Sequence, residues 1–230
     1  EANATHLHHK SDQYAESYPG RLIHADIAGP FINSRIGHYK YLLVLVDDHS
    51  RFKFVQFLRH RDDAPAAVSN FAAALTGLLG KQGQTNIITT FHSDNAGEFF
   101  SREFTEFLDG EAIAHTSCPP HIHELNGVAE RSIKSIMEGV RSAMTASGAP
   151  KSFWPYAAQH ACDVLNRTTG PPAGTMSSYE SLLGEKPRIM GIMPFGCRGF
   201  AVKPHGSISK TNIDPHAWVG VNLGRSPDMP

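Results

Sequence analysis

Between residues 21 and 57 the apolar positions fall into three short runs separated by turn-forming residues. Leu22-Ile23-His24-Ala25-Asp26-Ile27 is closed by Gly29-Pro30, and residues 39 to 46 are almost unbroken in apolar character, as in a strand buried on both faces. Residues 51 to 57 alternate apolar and polar, and Asp47-Asp48-His49-Ser50 supplies the turn before them, so the chain opens with an antiparallel meander of three strands. The period then lengthens. Asp62, Asp63 and Pro65 mark a helix N-terminus, after which Val68, Phe71, Leu75, Leu78 and Leu79 recur at helical spacing. A β-branched strand over residues 86 to 92 runs into Ser93-Asp94-Asn95. Phe104, Phe107 and Leu108 mark a short helix stopped at Asp109-Gly110, and residues 112 to 114 read as a last short strand. Residues 117 to 127, with Pro119, Pro120 and Gly127, read as a loop. Val128, Ile133, Ile136, Met137, Val140 and Met144 then stripe a long helix, and Pro150 opens another with Phe153, Trp154, Ala157, Ala161 and Leu165 inward. The order predicts a mixed α/β layered fold.

The two ends differ from this middle. Residues 1 to 20 are polar, rich in histidine and without period, so they read as a linker or a remnant of an N-terminal region. From Gly170, Pro171, Pro172, Pro187 and Pro194 break the chain into short apolar alternations such as Phe200-Ala201-Val202 and residues 217 to 221, the pattern of a small β module. The expected division is 1–20, 21–170 and 171–230, an excised piece of a longer protein.

Composition narrows the function classes. Of the 230 residues, 21 are Lys or Arg and 22 are Asp or Glu, a formal net charge of -1; no global positive field draws in nucleic acid, and any such contact must be local. No polybasic tail and no apolar run of membrane-spanning length points to a membrane. The 3 cysteines form no C-x-x-C pair and no disulfide framework, which fits a reducing compartment.

The informative polar residues are three acids. Asp26 ends the first strand, Asp94 ends the fourth, and Glu130 falls in the first turn of a helix, with 67 and 35 residues between them. If the first and fourth strands are neighbours, the aspartates lie side by side and the helix start brings the glutamate over them. Carboxylates gathered in this way repel unless divalent cations neutralise them, and hard oxygen ligands favour Mg²⁺ or Mn²⁺ over zinc. Two such ions, about 3.5–4 Å apart, can activate a water or a 3′-hydroxyl and stabilise the leaving oxygen of a phosphodiester.

Five ordered segments carry a resemblance: residues 22 to 30, Val46-Asp47-Asp48-His49-Ser50-Arg51, Ser93-Asp94-Asn95-Ala96-Gly97-Glu98-Phe99, Asn126-Gly127-Val128-Ala129-Glu130-Arg131 and Phe195-Gly196-Cys197. With Phe153-Trp154, Leu165-Asn166-Arg167 and Ser209-Lys210 followed by Asp214-Pro215, the chain resembles the integrases of copia-type (Pseudoviridae) long-terminal-repeat retrotransposons over roughly residues 21 to 224. The resemblance implies an RNase H-like core with a mixed five-stranded sheet and flanking helices, followed by an SH3-like β module, within a Gag-Pol polyprotein. It implies a Mg²⁺-dependent polynucleotidyl transferase that processes 3′ ends of cDNA and joins them to target DNA. Asp26, Asp94 and Glu130 would be its catalytic and metal-binding residues, with two Mg²⁺ or Mn²⁺ ions per site. Lys134, one helical turn beyond Glu130, would hold a phosphate of the DNA end, with Arg131, Arg141 and Asn126 as further DNA contacts. Double-stranded DNA, further copies of the chain and polyprotein modules such as reverse transcriptase are the implied partners, and the nucleus and a cytoplasmic virus-like particle the implied locations.

The chain also departs from that family. Ala96 replaces the first of two usual glycines, residues 120 to 127 differ from the usual Pro-Gln-Gln-Asn-Gly loop, and no cysteine precedes Cys118, so His6, His8 and His9 cannot complete a zinc module. Other readings attach to the same residues: an RNase H-like nuclease, a silent or host-adopted DNA- or protein-binding relic, or an interaction module built on the segment after Gly170. Among secondary features, Asp47 and Asp48 are expected in a tight turn paired with Arg51. His115, His121 and His123 near Cys118 lack the further ligands of a closed zinc site. Phe153 and Trp154 are expected in the core, and the cysteines as buried or incidental thiols.

Overall fold

The computed structural model describes residues 18–80, 87–117, 127–171, 174–204 and 216–224. The strands β1 (Leu22–Ala28), β2 (Tyr41–Asp47) and β3 (Lys53–Leu58) form the antiparallel meander. To the other edge of β1, β4 (Thr90–Ser93) and then β5 (Ala114–Ser117) add in parallel, giving the order β3-β2-β1-β4-β5. Helix α1 (Ala64–Gly80) connects β3 to β4 and α2 (Arg102–Gly110) connects β4 to β5, while α3 (Gly127–Ser147) and α4 (Trp154–Thr168) follow and pack on each other. This is the RNase H-like arrangement.

The unbroken apolar run explains why the sheet is covered on both sides. Leu42 through Val46 are completely buried. Leu43 and Leu45 join Ile23, Ala25 and Ile27 under α1 and α2, whereas Leu42, Val44 and Val46 face Ile136, Val140, Ala157 and Ala161 of α3 and α4. Each such side chain contributes about 1.5–3 kcal/mol by leaving water. The two layers meet on one strand.

Several sequence expectations shift. The fourth strand starts at Thr90 rather than 86, since Ile87 and Ile88 are buried but precede the ladder with β1. The fifth lies at Ala114–Ser117 rather than 112 to 114 because Ala112 turns through a left-handed φ of 54° after α2. Leu78 is 40% exposed: at 100° per residue it sits about 65° from the centre of the stripe formed by Val68, Phe71, Leu75 and Leu79. Ser178–Leu183 forms a helix, α5, that the proline-rich composition concealed. Its signal was the spacing of Ser177 and Glu180, for Ser177 Oγ accepts the Glu180 N–H, and Leu182 is buried in the same core layer as α1. The two apolar alternations pair as an antiparallel ribbon, β6 (Arg198–Val202) with β7 (Ala217–Val221). Asn126, Cys118, His121, His123, the loop around them and the Ser209-Lys210 and Asp214-Pro215 pairs lie outside the described residues. No described helix is long and apolar enough to cross a membrane.

Asn166 accounts for one family-like motif. β3 is an edge strand, and the buried Asn166 amide satisfies it from α4: Oδ1 accepts the Lys53 N–H at 2.8 Å and Nδ2 donates to the Lys53 carbonyl at 2.7 Å. The neighbouring Cys162 thiol, pushed up to about 12 by burial, stays protonated and donates to that carbonyl at 3.0 Å. Asn166→Ala strands a backbone N–H against α4, so urea denaturation is expected to register a loss of about 1–3 kcal/mol; an unchanged midpoint would show that the anchor is dispensable.

Candidate active site

Register alone brings two of the acids together. In the parallel pair of β1 and β4, Ala25 stands opposite Ser93, so Asp26 and Asp94, each one residue on, leave the ends of neighbouring strands side by side. Asp26 also pairs with Val44 of β2, whose side chain faces α3, which places the aspartate on the face α3 covers. Beyond Asp26 the chain turns at Gly29, where φ is 129° and a Cβ would fall 2.7 Å from the Lys40 carbonyl oxygen. Only glycine lets the hairpin close this tightly.

The segment after Asp94 is pinned from several sides. Asp94 Oδ1 accepts the Ala96 N–H at 3.2 Å, which turns the chain out of the sheet. Ala96 adopts φ -68°, a region open to any residue, so its replacement of glycine costs no backbone strain. Ser93 Oγ donates to the Asp94 carbonyl at 3.0 Å and lies 2.9 Å from His115 Nε2. The Phe99 that follows is completely buried.

Glu130 sits in the first turn of α3, exposed, with α3 packed across β1 and β2. The three acids feel one another. The Asp26 carboxyl is raised from 3.8 to about 6, first by burial, then by the charge of Asp94, and further by Glu130; the Ile27 N–H at 2.7 Å and Arg61 act the other way. A divalent cation would relieve this crowding, and the all-oxygen donor set suits Mg²⁺ or Mn²⁺. Among the described residues no three or more His, Cys, Asp or Glu side chains are grouped closely enough to hold a metal ion, so Glu130 lies within electrostatic reach of Asp26 without completing a cage.

The raised carboxyl has a consequence for stability. The folded state holds the Asp26 proton more tightly than the unfolded chain, so metal-free stability falls as pH rises from 3.8 through about 6. Asp26→Asn is therefore expected to raise the thermal midpoint of the metal-free chain at neutral pH and leave it unchanged well below 3.8, where both forms are neutral. Equal midpoints at neutral pH would mean that the folded state does not raise the Asp26 carboxyl.

The expected DNA contacts separate. Lys134 and Arg141 are exposed on α3, about 40° and 20° round the helix from Glu130 and about 6 and 16 Å along it. Arg131 is also exposed but lies about 100° round, its Nη1 folded back to within 2.8 Å of where a Cβ on Gly127 would stand. The tempting secondary groups are structural. Asp47 is fully buried, accepting from Gly20 N, Ser50 N and Ser50 Oγ, while Asp48 pairs with Arg51 and His24, each at 3.0 Å. His115 packs against Phe91, Phe100 and Phe104 and is held below its ordinary pKa by burial. Trp154 is buried, its indole N–H donating to the Ile32 carbonyl at 2.8 Å, with Phe153 half-buried against Tyr156. The sequence reading assigns no role to Arg61 or Glu98, which pair at 2.9 Å beside the aspartates; their separation of 37 positions hides the contact.

Residues 16–122 match the integrase core domain family, a span that ends before Glu130. The chain is 33% identical over 203 residues to the retrovirus-related Pol polyprotein from transposon TNT 1-94 of Nicotiana tabacum, covering 88% of this chain and 15% of that protein. It is 31% identical over 179 residues to the Pol polyprotein from transposon RE1 of Arabidopsis thaliana (78% of this chain, 12% of that one), and 25% identical over 221 residues to the Ty1-LR3 Gag-Pol polyprotein of Saccharomyces cerevisiae (95% and 12%). The chain thus spans about an eighth of the length of these relatives. Among solved structures, the HTLV-2 integrase catalytic core domain in complex with magnesium superposes with a TM-score of 0.53 at 20% identity, covering 72% of this chain and 97% of that one. A chain of the simian T-cell lymphotropic virus intasome in complex with the PP2A regulatory subunit B56 gamma superposes at 0.58 and 16% identity, covering 89% and 68%. These two likenesses establish the shared fold.

Proposed function

The chain belongs to the integrase core family, among the copia-type Pol polyproteins, and from that premise we propose that it is the Mg²⁺-dependent catalytic core that processes 3′ ends of retrotransposon cDNA and joins them to target DNA. The observation that carries this reading is the parallel register that sets Asp26 and Asp94 side by side on the face covered by α3, where burial first, and then the charges of Asp94 and Glu130, raise the Asp26 carboxyl to about 6. In this reading Asp26, Asp94 and Glu130 would be the residues that hold the two divalent ions. Divalent ions bound there would supply an activated water or 3′-hydroxyl and neutralise charge on the phosphodiester. The chain's own residues do the positioning. The strand register fixes the two aspartates, the first turn of α3 presents Glu130, and Lys134 holds a backbone phosphate one turn further on. Arg141 extends that contact along the helix, with Arg131 and Asn126 as further contacts at its start, and together they orient the duplex without reading its sequence.

Double-stranded DNA is the proposed substrate, handled by several copies of the chain beside modules such as reverse transcriptase, in a cytoplasmic particle and then the nucleus. The segment from residue 171, with its β6–β7 ribbon, is the proposed beginning of the SH3-like module. Strand transfer and nicking of a short labelled duplex in Mg²⁺ or Mn²⁺ test the activity: joined products would support the transferase, nicks alone the nuclease, and silence with intact DNA binding the relic.

DNA affinity offers an independent check. With a net charge of -1, binding rests on few local cations. Lys134→Glu is expected to weaken duplex binding about tenfold and to lower the salt slope by about one counterion. A slope equal to the wild type would place Lys134 off the DNA.

A further inference from the structure

Arg61 and Glu98 stand just outside the three acids. Glu98 lies in the turn Gly97–Phe100 that follows Asp94, and only 8% of its side chain is exposed. A carboxylate at that depth requires a partner. Arg61 supplies it, its Nη1 donating to Glu98 Oε1 at 2.9 Å. From the same guanidinium, Nη2 donates to the main-chain carbonyl of Ile27, the residue directly after Asp26, at 3.3 Å. Tyr41 packs its ring against the group, 5.8 Å from centroid to Cζ. One planar fork therefore ties the backbone just beyond Asp26 to the turn just beyond Asp94, a double reach that a single ammonium cannot reproduce. An exposed ion pair contributes little, but this one has a buried carboxylate and a second, main-chain anchor. The positive charge of Arg61 also reaches Asp26, where it opposes Asp94 and Glu130.

We propose that Arg61 and Glu98 are positioning residues: together they fix the separation of the two aspartate-bearing segments, and so set the affinity of the carboxylate site for its divalent ion without touching ion or DNA. The inference rests on the reading of the three acids as metal ligands. Groups that orient ligands from behind in this way typically change metal affinity by about 10–100-fold when removed.

The test combines amide hydrogen exchange with Mn²⁺ calorimetry on the whole 230-residue chain, its Arg61→Ala and Glu98→Ala variants, and the double variant. Exchange over residues 94 to 101 is expected to quicken about tenfold in either single variant and no further in the double, since both remove one interaction. The Mn²⁺ dissociation constant is expected to rise about tenfold, while exchange in residues 132 to 140 of α3 stays constant. Arg61→Lys, which keeps the charge but not the fork, is expected to recover the exchange rate only in part. Unchanged exchange over 94 to 101 would overturn the clamp, and faster exchange with unchanged Mn²⁺ affinity would overturn its link to the site. A wild type lacking any Mn²⁺ heat that Asp26→Asn removes would defeat the metal reading and that link with it, while the exchange arm would still decide whether the clamp exists.

Discussion

Asp94→Asn and Glu130→Gln are each expected to reduce strand transfer by at least about 10³-fold, equivalent to about 4 kcal/mol of transition-state stabilisation. Each change keeps the shape of the side chain and removes the charge that would hold an ion. Asp94→Asn also keeps the oxygen that accepts the Ala96 N–H, so the turn after β4 retains its closing bond. It removes one of the charges that raise the Asp26 carboxyl, so the variant is expected to be at least as stable as the wild type at neutral pH. Loss of activity with an intact thermal transition would therefore report chemistry rather than folding. Activity within tenfold of wild type for either variant would remove that residue from the site.

The largest stability effect is expected at Phe104. Its ring is completely buried between Phe91, Phe99 and His115, at centroid distances of 5.3, 5.7 and 5.8 Å. These residues form the floor under the turn that carries Asp94: Phe91 is on β4, Phe99 is in the turn, and His115 reaches Ser93. Phe104→Ala removes the ring and leaves a cavity that three rigid neighbours cannot fill, at a cost of about 3–5 kcal/mol. For a chain of this size that lowers the thermal midpoint by on the order of 10 °C. A loss below about 1 kcal/mol in urea denaturation would mean that the cluster collapses around the gap and bears little of the load.

Much of this architecture is written locally. The unbroken run ending at Val46 is a strand with no solvent face, and it became the place where two core layers meet. The alternation at residues 51 to 57 does not mark a solvent face: β3 is an edge strand by pairing alone, with Phe54 and Leu58 packed in the α1 layer and Val55 and Phe57 in the layer of α3 and α4. The acid pair became legible once the first and fourth strands were neighbours, since a parallel register then puts Asp26 and Asp94 level. What escaped was set by long-range contacts or by single backbone torsions. The β5 shift follows from the left-handed turn at Ala112, which no hydrophobic period reports. Helix α5 is one and a half turns long in a proline-rich stretch, too short for periodicity, and its capping serine was the signal available. The bond of Asn166 to the β3 edge spans 113 positions and that of Arg61 to Glu98 spans 37, so residue type gave no hint of either partner. Leu78 fits a helical spacing in outline but falls at the rim of the stripe, where burial depends on what packs alongside.

The central claim is that Asp26 and Asp94 share a divalent ion that Glu130 helps to surround. Anomalous diffraction from crystals of this chain soaked in Mn²⁺ tests it most directly. The account predicts an anomalous peak within coordination distance of both Asp26 and Asp94 carboxylates, lost in Asp94→Asn crystals. Well-diffracting soaked crystals with no peak there, or with Mn²⁺ only at other carboxylates, would contradict it.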